Sequence, residues 1–143
     1  MPDRLTHEKA QTGAWDGVTV GGATAASLLG IGDFYLSPYR IYAPRRINSR
    51  NKAASFAVRK VARDEVSFAS GLPVTTPERT VFDLAADDED PSLVADALRS
   101  ACAGSRPFDF NKLKALIDGK YGKNKASRIL TPLLADAGIA ERG

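Results

Sequence analysis

Three runs in the first half of the chain have the character of β-strands: hydrophobic and polar residues alternate along the first and the third, and the second is rich in β-forming residues. The runs are residues 39–43, 55–61 and 65–69. A turn at Ser70-Gly71 leads into a fourth run, residues 72–75. Together the four runs predict a small, mostly antiparallel sheet over about residues 39–75.

Apolar residues recur at the spacing of a helix in one segment before these runs and in four segments after them. Residues 22–30 place small and apolar side chains on one face and end in Gly30, a residue type that commonly closes a helix. Beyond residue 75 the apolar period is near 3.6. The four later helices are predicted to begin at Pro77, at Pro91, after Asp109 and near Lys125.

The first of these four helices has two possible caps. Thr76 directly precedes Pro77, and proline fits the first position of a helix. One residue earlier, Thr75 and Glu78 have the spacing of a capping box. The pattern leaves both open.

These elements predict an α+β fold in which a small sheet is followed by a cluster of four short helices. A chain of 143 residues is long enough to bury a core without a metal or disulfide. We expect residues 1–18 to be a flexible lead-in and residues 19–143 to be one domain. Its β-rich half is residues 19–75 and its helical half is residues 76–138.

The chain has too few cysteine and histidine residues for most metal sites and for most sites of nucleophilic catalysis. Cys102 and His7 are the only residues of their types, so an intramolecular disulfide, a Cys/His zinc site and a nucleophile–histidine pair are all disfavoured. No apolar run approaches the roughly 18 residues of a membrane span. We therefore expect a cytoplasmic protein without a metal, a cofactor or a membrane partner.

Charge is strongly segregated although the net charge is only +3. All charged residues between Phe34 and Arg63 are basic. The charged residues of 78–96 are almost all acidic, and those of 112–128 are again mostly basic. A basic block attracts phosphate backbones through charge and counterion release. The alternative is that each block is a solvated face that keeps the protein soluble.

The first basic block contains the candidate DNA-binding residues. They are Arg40, Arg45, Arg46, Arg50, Lys52, Arg59 and Lys60. The polar link over residues 45–53 is predicted to be an exposed hairpin loop that could reach a phosphate backbone. Tyrosines interleave with this block, which suits nucleic acid, but aromatic residues in a sheet are more often core or cross-strand pairs.

Acidic residues offer one weak catalytic pattern. Asp118 and Lys120 form a D-x-K triplet with Asp109 upstream, a combination found in metal-dependent nucleases. Such nucleases present these groups from adjacent strands, whereas here all three lie in or beside a helical stretch. The four consecutive acidic residues 87–90 point in different directions and do not converge on one ion. We therefore predict no catalytic residue, no metal site and no enzymatic activity.

Two segments carry a resemblance to a known family. Residues 70–86 read SGLPVTTPERTVFDLAA and resemble the GLPVTTPERT motif, followed by hydrophobic residues and DLA, of AbiEi-family antitoxins. Residues 22–31 are similar to the helix that follows the N-terminal domain in that family. The motif residues are Gly71, Leu72, Pro73, Thr75, Thr76, Pro77, Arg79, Thr80 and Asp83. We expect their role to be mainly structural, with Arg79 paired to Asp83 one helical turn on.

The resemblance implies a bacterial type IV toxin–antitoxin, or abortive-infection, system. Family members usually join an N-terminal winged helix-turn-helix, which represses the operon's promoter, to a C-terminal antitoxin domain. The resemblance implies that this domain counteracts a nucleotidyltransferase-like toxin without forming a stable complex with it. Here only about 20 residues precede Gly22, too few for a winged helix-turn-helix. The chain is thus either a fragment or a stand-alone C-terminal domain, and the resemblance implies the antitoxin role without implying sequence-specific promoter binding.

Two other functions compete with this one. The acidic stretch could meet the basic block of a second copy, as a homodimer, or of another protein, which would make the chain a protein–protein interaction module without DNA binding. A nuclease-like enzyme is the third possibility, and it requires the carboxylate of Asp118.

Overall fold

Five strands and five helices make up the described part of the computed structural model, which covers residues 14–32, 34, 39–47, 54–69, 71–104 and 107–139. The strands are β1 (Thr19–Val20), β2 (Tyr39–Ala43), β3 (Ala54–Val58), β4 (Val66–Ala69) and β5 (Leu72–Thr75). The helices are α1 (Gly22–Leu29), α2 (Pro77–Ala86), α3 (Pro91–Ala103), α4 (Phe110–Tyr121) and α5 (Lys123–Asp136). A 3-10 turn, Arg63–Glu65, precedes β4. The predicted α+β class is confirmed.

The sheet is mixed, with the strand order β3-β2-β1-β5-β4. β1 is antiparallel to β2, and β4 is antiparallel to β5. However, β2 and β3 are parallel, in a register that runs from Tyr39 opposite Ala54 to Ala43 opposite Val58. The prediction of a basic hairpin between these two strands is therefore wrong.

The physical reason is the length of the segment that connects β2 to β3. A five-residue strand spans about 17 Å, so residues 44–53 are long enough to carry the chain back to the starting end of β2. Strand-forming sequence on both sides of a link does not fix which way the second strand runs. Arg45 and Arg46 consequently lie at the start of a return connection rather than at the tip of a hairpin.

The helix boundaries follow local capping chemistry. Gly30 adopts a left-handed conformation (φ 72°) and closes α1, with its N–H donating to the Ser27 carbonyl. α3 and α4 begin after Asp90 and Asp109, whose side chains accept hydrogen bonds from the Ser92 and Lys112 N–H groups. α5 begins at Lys123, two residues before the predicted position.

Most of the apolar core lies among the helices. The Leu84, Leu98, Leu113 and Ile117 side chains are at most 1% exposed, and α1 adds its small residues to the same cluster. A second cluster consists of Tyr42, Val61 and Val66, with Trp15 packed beside it. The Trp15 N–H donates to the Val61 carbonyl at 2.8 Å, so the chain joins the fold before β1.

Candidate functional site

The family motif forms the junction between the sheet and the helices. Gly71 turns the chain in a left-handed conformation (φ 77°), which glycine adopts without strain, and β5 follows directly. Leu72 pairs with Ala69 and Pro73 with Phe68 on β4. The motif then passes from β5 into α2 through a single residue, Thr76.

Threonine hydroxyl groups fix this junction. Thr76 is the N-cap of α2, and its hydroxyl oxygen accepts a hydrogen bond from the Arg79 N–H at 3.4 Å. Pro77 occupies the first helical position, so the first of the two predicted caps is confirmed. Thr75 does not cap the helix. Its hydroxyl oxygen lies 2.7 Å from that of Thr80, and both side chains are fully buried.

Arg79 is the centre of a buried network of charges. Its Nε donates to both carboxylate oxygens of Asp83, at 3.1 and 3.0 Å. Its Nη1 donates to the carboxylate of Glu65 at 3.2 Å and to the Lys60 carbonyl at 3.3 Å. The predicted Arg79–Asp83 pair is thus present. Because all three charged side chains are at most 7% exposed, they join α2 to the 3-10 turn before β4.

Arg59 extends the network to the surface. Its Nη1 lies 3.0 Å from Asp83 Oδ1, and its Nη2 lies 2.9 Å from Asp87 Oδ1. The same Nη1 donates to the hydroxyl oxygen of the buried Tyr42 at 3.0 Å. Arg59 was a candidate for phosphate contact, but its guanidinium group is already engaged by two carboxylates and a phenol.

Burial and charge oppose each other in this network. Burial alone would lower the pKa of Arg79, but the Asp83 and Glu65 carboxylates outweigh burial and raise it. Burial, supported by the nearby Asp83 carboxylate, raises the pKa of Tyr42 above its ordinary value. The guanidinium groups therefore stay charged, and the phenol stays neutral and accepts from Arg59. These groups satisfy one another and hold the fold together.

The other candidate DNA-binding residues are more dispersed. Arg40 is half-buried, with its Nη1 donating to the Ser55 hydroxyl at 3.0 Å. Arg45, Arg46 and Lys60 are exposed. Arg50 and Lys52 lie outside the described residues. Of the predicted set, the structure therefore presents Arg45 and Arg46 as adjacent, exposed cations.

A second exposed group of cations lies on α4 and α5, and we call it the helical basic surface. Its members are Lys114, Lys120, Lys123, Lys125 and Arg128. The Lys120 and Lys125 ammonium groups lie 5.6 and 5.3 Å from the centre of the Tyr121 ring. The end of α4 and the start of α5 thus each bring one lysine to the same aromatic side chain.

The acidic residues considered for catalysis have other positions. Asp109 caps α4, and Asp118 lies within the same helix. Among the described residues, no group of three or more histidine, cysteine or acidic side chains could hold a metal ion. The helices found in the described part of the chain are all too short or too polar to cross a membrane.

Glu65 and Tyr42 were not identified from the sequence, although both take part in the buried network. The one available signal was the segregation of charge. A basic block followed by an acidic block indicates possible pairing between them, and Arg59 with Asp83 and Asp87 is that pairing. Neither burial nor partner choice is visible in the charge pattern alone.

Comparison with solved structures shows a similar fold in a mycobacterial protein. The chain resembles the crystal structure of the RV2827C protein from Mycobacterium tuberculosis with a TM-score of 0.60 and 19% sequence identity. The match covers 87% of this chain and 49% of that one, so the present chain spans about half the length of the mycobacterial protein. No curated protein matches the sequence.

Comparison with protein families gives a match over residues 17–122, to the family described as the AbiEi antitoxin C-terminal domain. The matched region runs from the residues before β1 to the end of α4. It includes the complete motif segment and every charged member of the buried network. This chain therefore belongs to the AbiEi antitoxin C-terminal domain family.

Proposed function

We propose that the chain is the antitoxin part of a type IV toxin–antitoxin system and counteracts a nucleotidyltransferase-like toxin. The family match over residues 17–122 carries this proposal. The motif residues Thr75, Thr76, Arg79, Thr80 and Asp83 are buried and build the junction of sheet and helices, so the match reflects the fold rather than a short surface resemblance. The absence of a stable toxin complex is part of the proposal.

A growth assay tests the antitoxin role. The chain is expressed together with a nucleotidyltransferase-like toxin encoded beside it, and we expect growth to be restored. In the same cells, a tag on the chain should recover little or no toxin. No rescue by a chain that is folded and abundant would refute the proposal. Rescue accompanied by a stable complex would refute the type IV mechanism alone.

We further propose that Arg45 and Arg46 contact the phosphate backbone of promoter DNA. Both are exposed and adjacent, and arginine binds phosphate oxygens in a bidentate manner. Arg59 is omitted from this surface because Asp83 and Asp87 hold its guanidinium group. Contacts of this kind position a protein on a duplex without reading its sequence.

Replacing Arg45 and Arg46 by alanine should weaken binding to the promoter duplex and to a scrambled duplex by the same factor. If each arginine neutralises one phosphate, the slope of log affinity against log salt should become shallower by about 2. Fluorescence anisotropy across a salt series measures both effects. The matched control is Lys123→Ala with Lys125→Ala, which removes the same charge from the helical basic surface. If only the control pair changes affinity, the arginine contact is wrong.

A further inference from the structure

A cavity of about 250 Å³ lies where three helix ends meet, open to solvent on one side. The C-terminal ends of α1 and α3 and the N-terminal end of α2 form its walls. Leu29, Ile31, Pro77 and Phe108 give the cavity an apolar lining. It is distinct from the buried charge network and from both basic surfaces, and no step of the proposed function uses it.

Glu78 places a negative charge in this apolar lining. The residue is only 7% exposed, and one carboxylate oxygen, Oε2, accepts a hydrogen bond from the Asp109 N–H at 2.8 Å. No second hydrogen bond to this carboxylate is found among the described residues. In the same part of the chain, no fully buried side-chain oxygen or nitrogen lacks a partner.

The helix ends add to this negative character. The last carbonyl groups of a helix have no partner within the helix and carry partial negative charge. Ser100, Ala101 and Gly104 bring this end of α3 to the cavity, and Leu29 and Gly30 bring that of α1. At the opposing end, the α2 N-terminus, the Thr76 hydroxyl oxygen accepts from the Arg79 N–H, and Pro77 has no N–H to offer a ligand. The polar groups around the cavity therefore favour a cation.

We propose that this cavity binds a guanidinium group carried on a short apolar stem. The carboxylate of Glu78 and the carbonyl groups at the end of α3 would accept hydrogen bonds from the N–H groups of the planar guanidinium. The Phe108 ring offers a surface for cation–π contact, and the aliphatic lining accommodates the stem. The volume is smaller than that of most small-molecule pockets, which suits a group the size of one side chain.

Titration of the full chain with butylguanidinium, followed by NMR chemical shifts, tests the proposal. We expect a saturable response of residues around the cavity and none with butylurea, which has a similar shape but no charge. Glu78→Gln should weaken binding at least tenfold, because its amide oxygen can still accept from Asp109 but the charge is lost. Equal binding of butylurea, or equal binding by Glu78→Gln, would overturn the proposal, as would the lack of any saturable response.

A second variant guards against an indirect effect of Glu78 on folding. Gly104 has an ordinary backbone conformation (φ −70°), and a Cβ there would lie 3.5 Å from the nearest carbonyl oxygen, an ordinary contact. Gly104→Leu should therefore fold normally, narrow the cavity and abolish the butylguanidinium response with Glu78 intact. Retained binding by this variant would place the guanidinium elsewhere on the molecule.

Cys102 provides an independent readout because it is the only cysteine. Burial and, after it, the Glu78 carboxylate raise the pKa of this thiol. A bound guanidinium should offset the carboxylate and lower the thiol pKa in the wild-type chain, but not in Glu78→Gln. The pH dependence of thiol labelling measures this shift, and an identical response in both proteins would contradict binding beside Glu78.

A further titration distinguishes two possible ligands, an arginine side chain of a protein partner and a free alkylguanidine. A blocked tripeptide with a central arginine is compared with butylguanidinium. Tighter binding of the peptide indicates that an arginine side chain of a protein partner is the occupant, because backbone contacts would add to the affinity. Weaker binding of the peptide indicates a free alkylguanidine. Both outcomes require that the cavity binds butylguanidinium but not butylurea. Neither outcome depends on whether the chain rescues growth in the toxin assay.

Discussion

Arg79→Met should lower the free energy of unfolding by about 3–5 kcal/mol, the largest effect that we expect from any single substitution. The change removes the buried cation that links the carboxylates of Glu65 and Asp83, and it leaves Glu65 without that cation while Asp83 keeps only Arg59. Methionine fills the space of the arginine stem, so the loss reports on charge rather than on a cavity. Urea denaturation followed by circular dichroism gives the free energy.

The control for this prediction is Arg128→Met, the same substitution at an exposed position on α5. Surface substitutions of this kind change stability little. A second comparison, Asp83→Asn, keeps the shape of the carboxylate and removes its charge, and it should also be strongly destabilising. If Arg79→Met were no more harmful than Arg128→Met, the network would not stabilise the fold.

Gly21→Ala should destabilise the domain by about 1–3 kcal/mol or more because the new methyl group would overlap the Tyr42 ring. The backbone at Gly21 is extended (φ −138°), so the cost is steric and not conformational. The ring cannot move aside easily. It is fully buried, and Arg59 holds its hydroxyl group.

Gly119→Ala is the matched control for this glycine. Gly119 lies within α4, and a Cβ there would meet open space. Since alanine favours a helix more than glycine does, this variant should gain about 0.5–1 kcal/mol. Thermal unfolding of the two variants should therefore shift in opposite directions. A loss of similar size in both would mean that glycine flexibility, and not contact with Tyr42, sets the stability.

The buried network also limits which cations remain for ligands. Sequence reasoning placed Arg59 among seven candidate DNA contacts because its charge and its neighbours are those of a basic block. The structure commits it to carboxylates 24 and 28 residues away. Charge patterns identify the sign of a segment, but only the three-dimensional arrangement determines whether that charge is available.

The sequence by itself determined the presence of the helices and the starts of α2, α3 and α4. Thr76, Asp90 and Asp109 each cap a helix through a hydrogen bond to an N–H two or three residues away, and Gly30 closes α1 in the same local manner. Such interactions depend on near neighbours, so they can be predicted from spacing. The motif of residues 70–86 likewise indicated the family to which the chain belongs.

Tertiary structure alone decided the direction of β3, the burial of Glu65 and Tyr42, and the cavity beside Glu78. Glu78 had the spacing of a capping residue, yet its carboxylate instead accepts from Asp109, 31 residues further on. Parallel and antiparallel pairing use the same β-forming residues, and the choice depends on how the whole sheet packs. These features rest on contacts between segments far apart in the chain, and the local sequence does not encode which distant partner each side chain will meet.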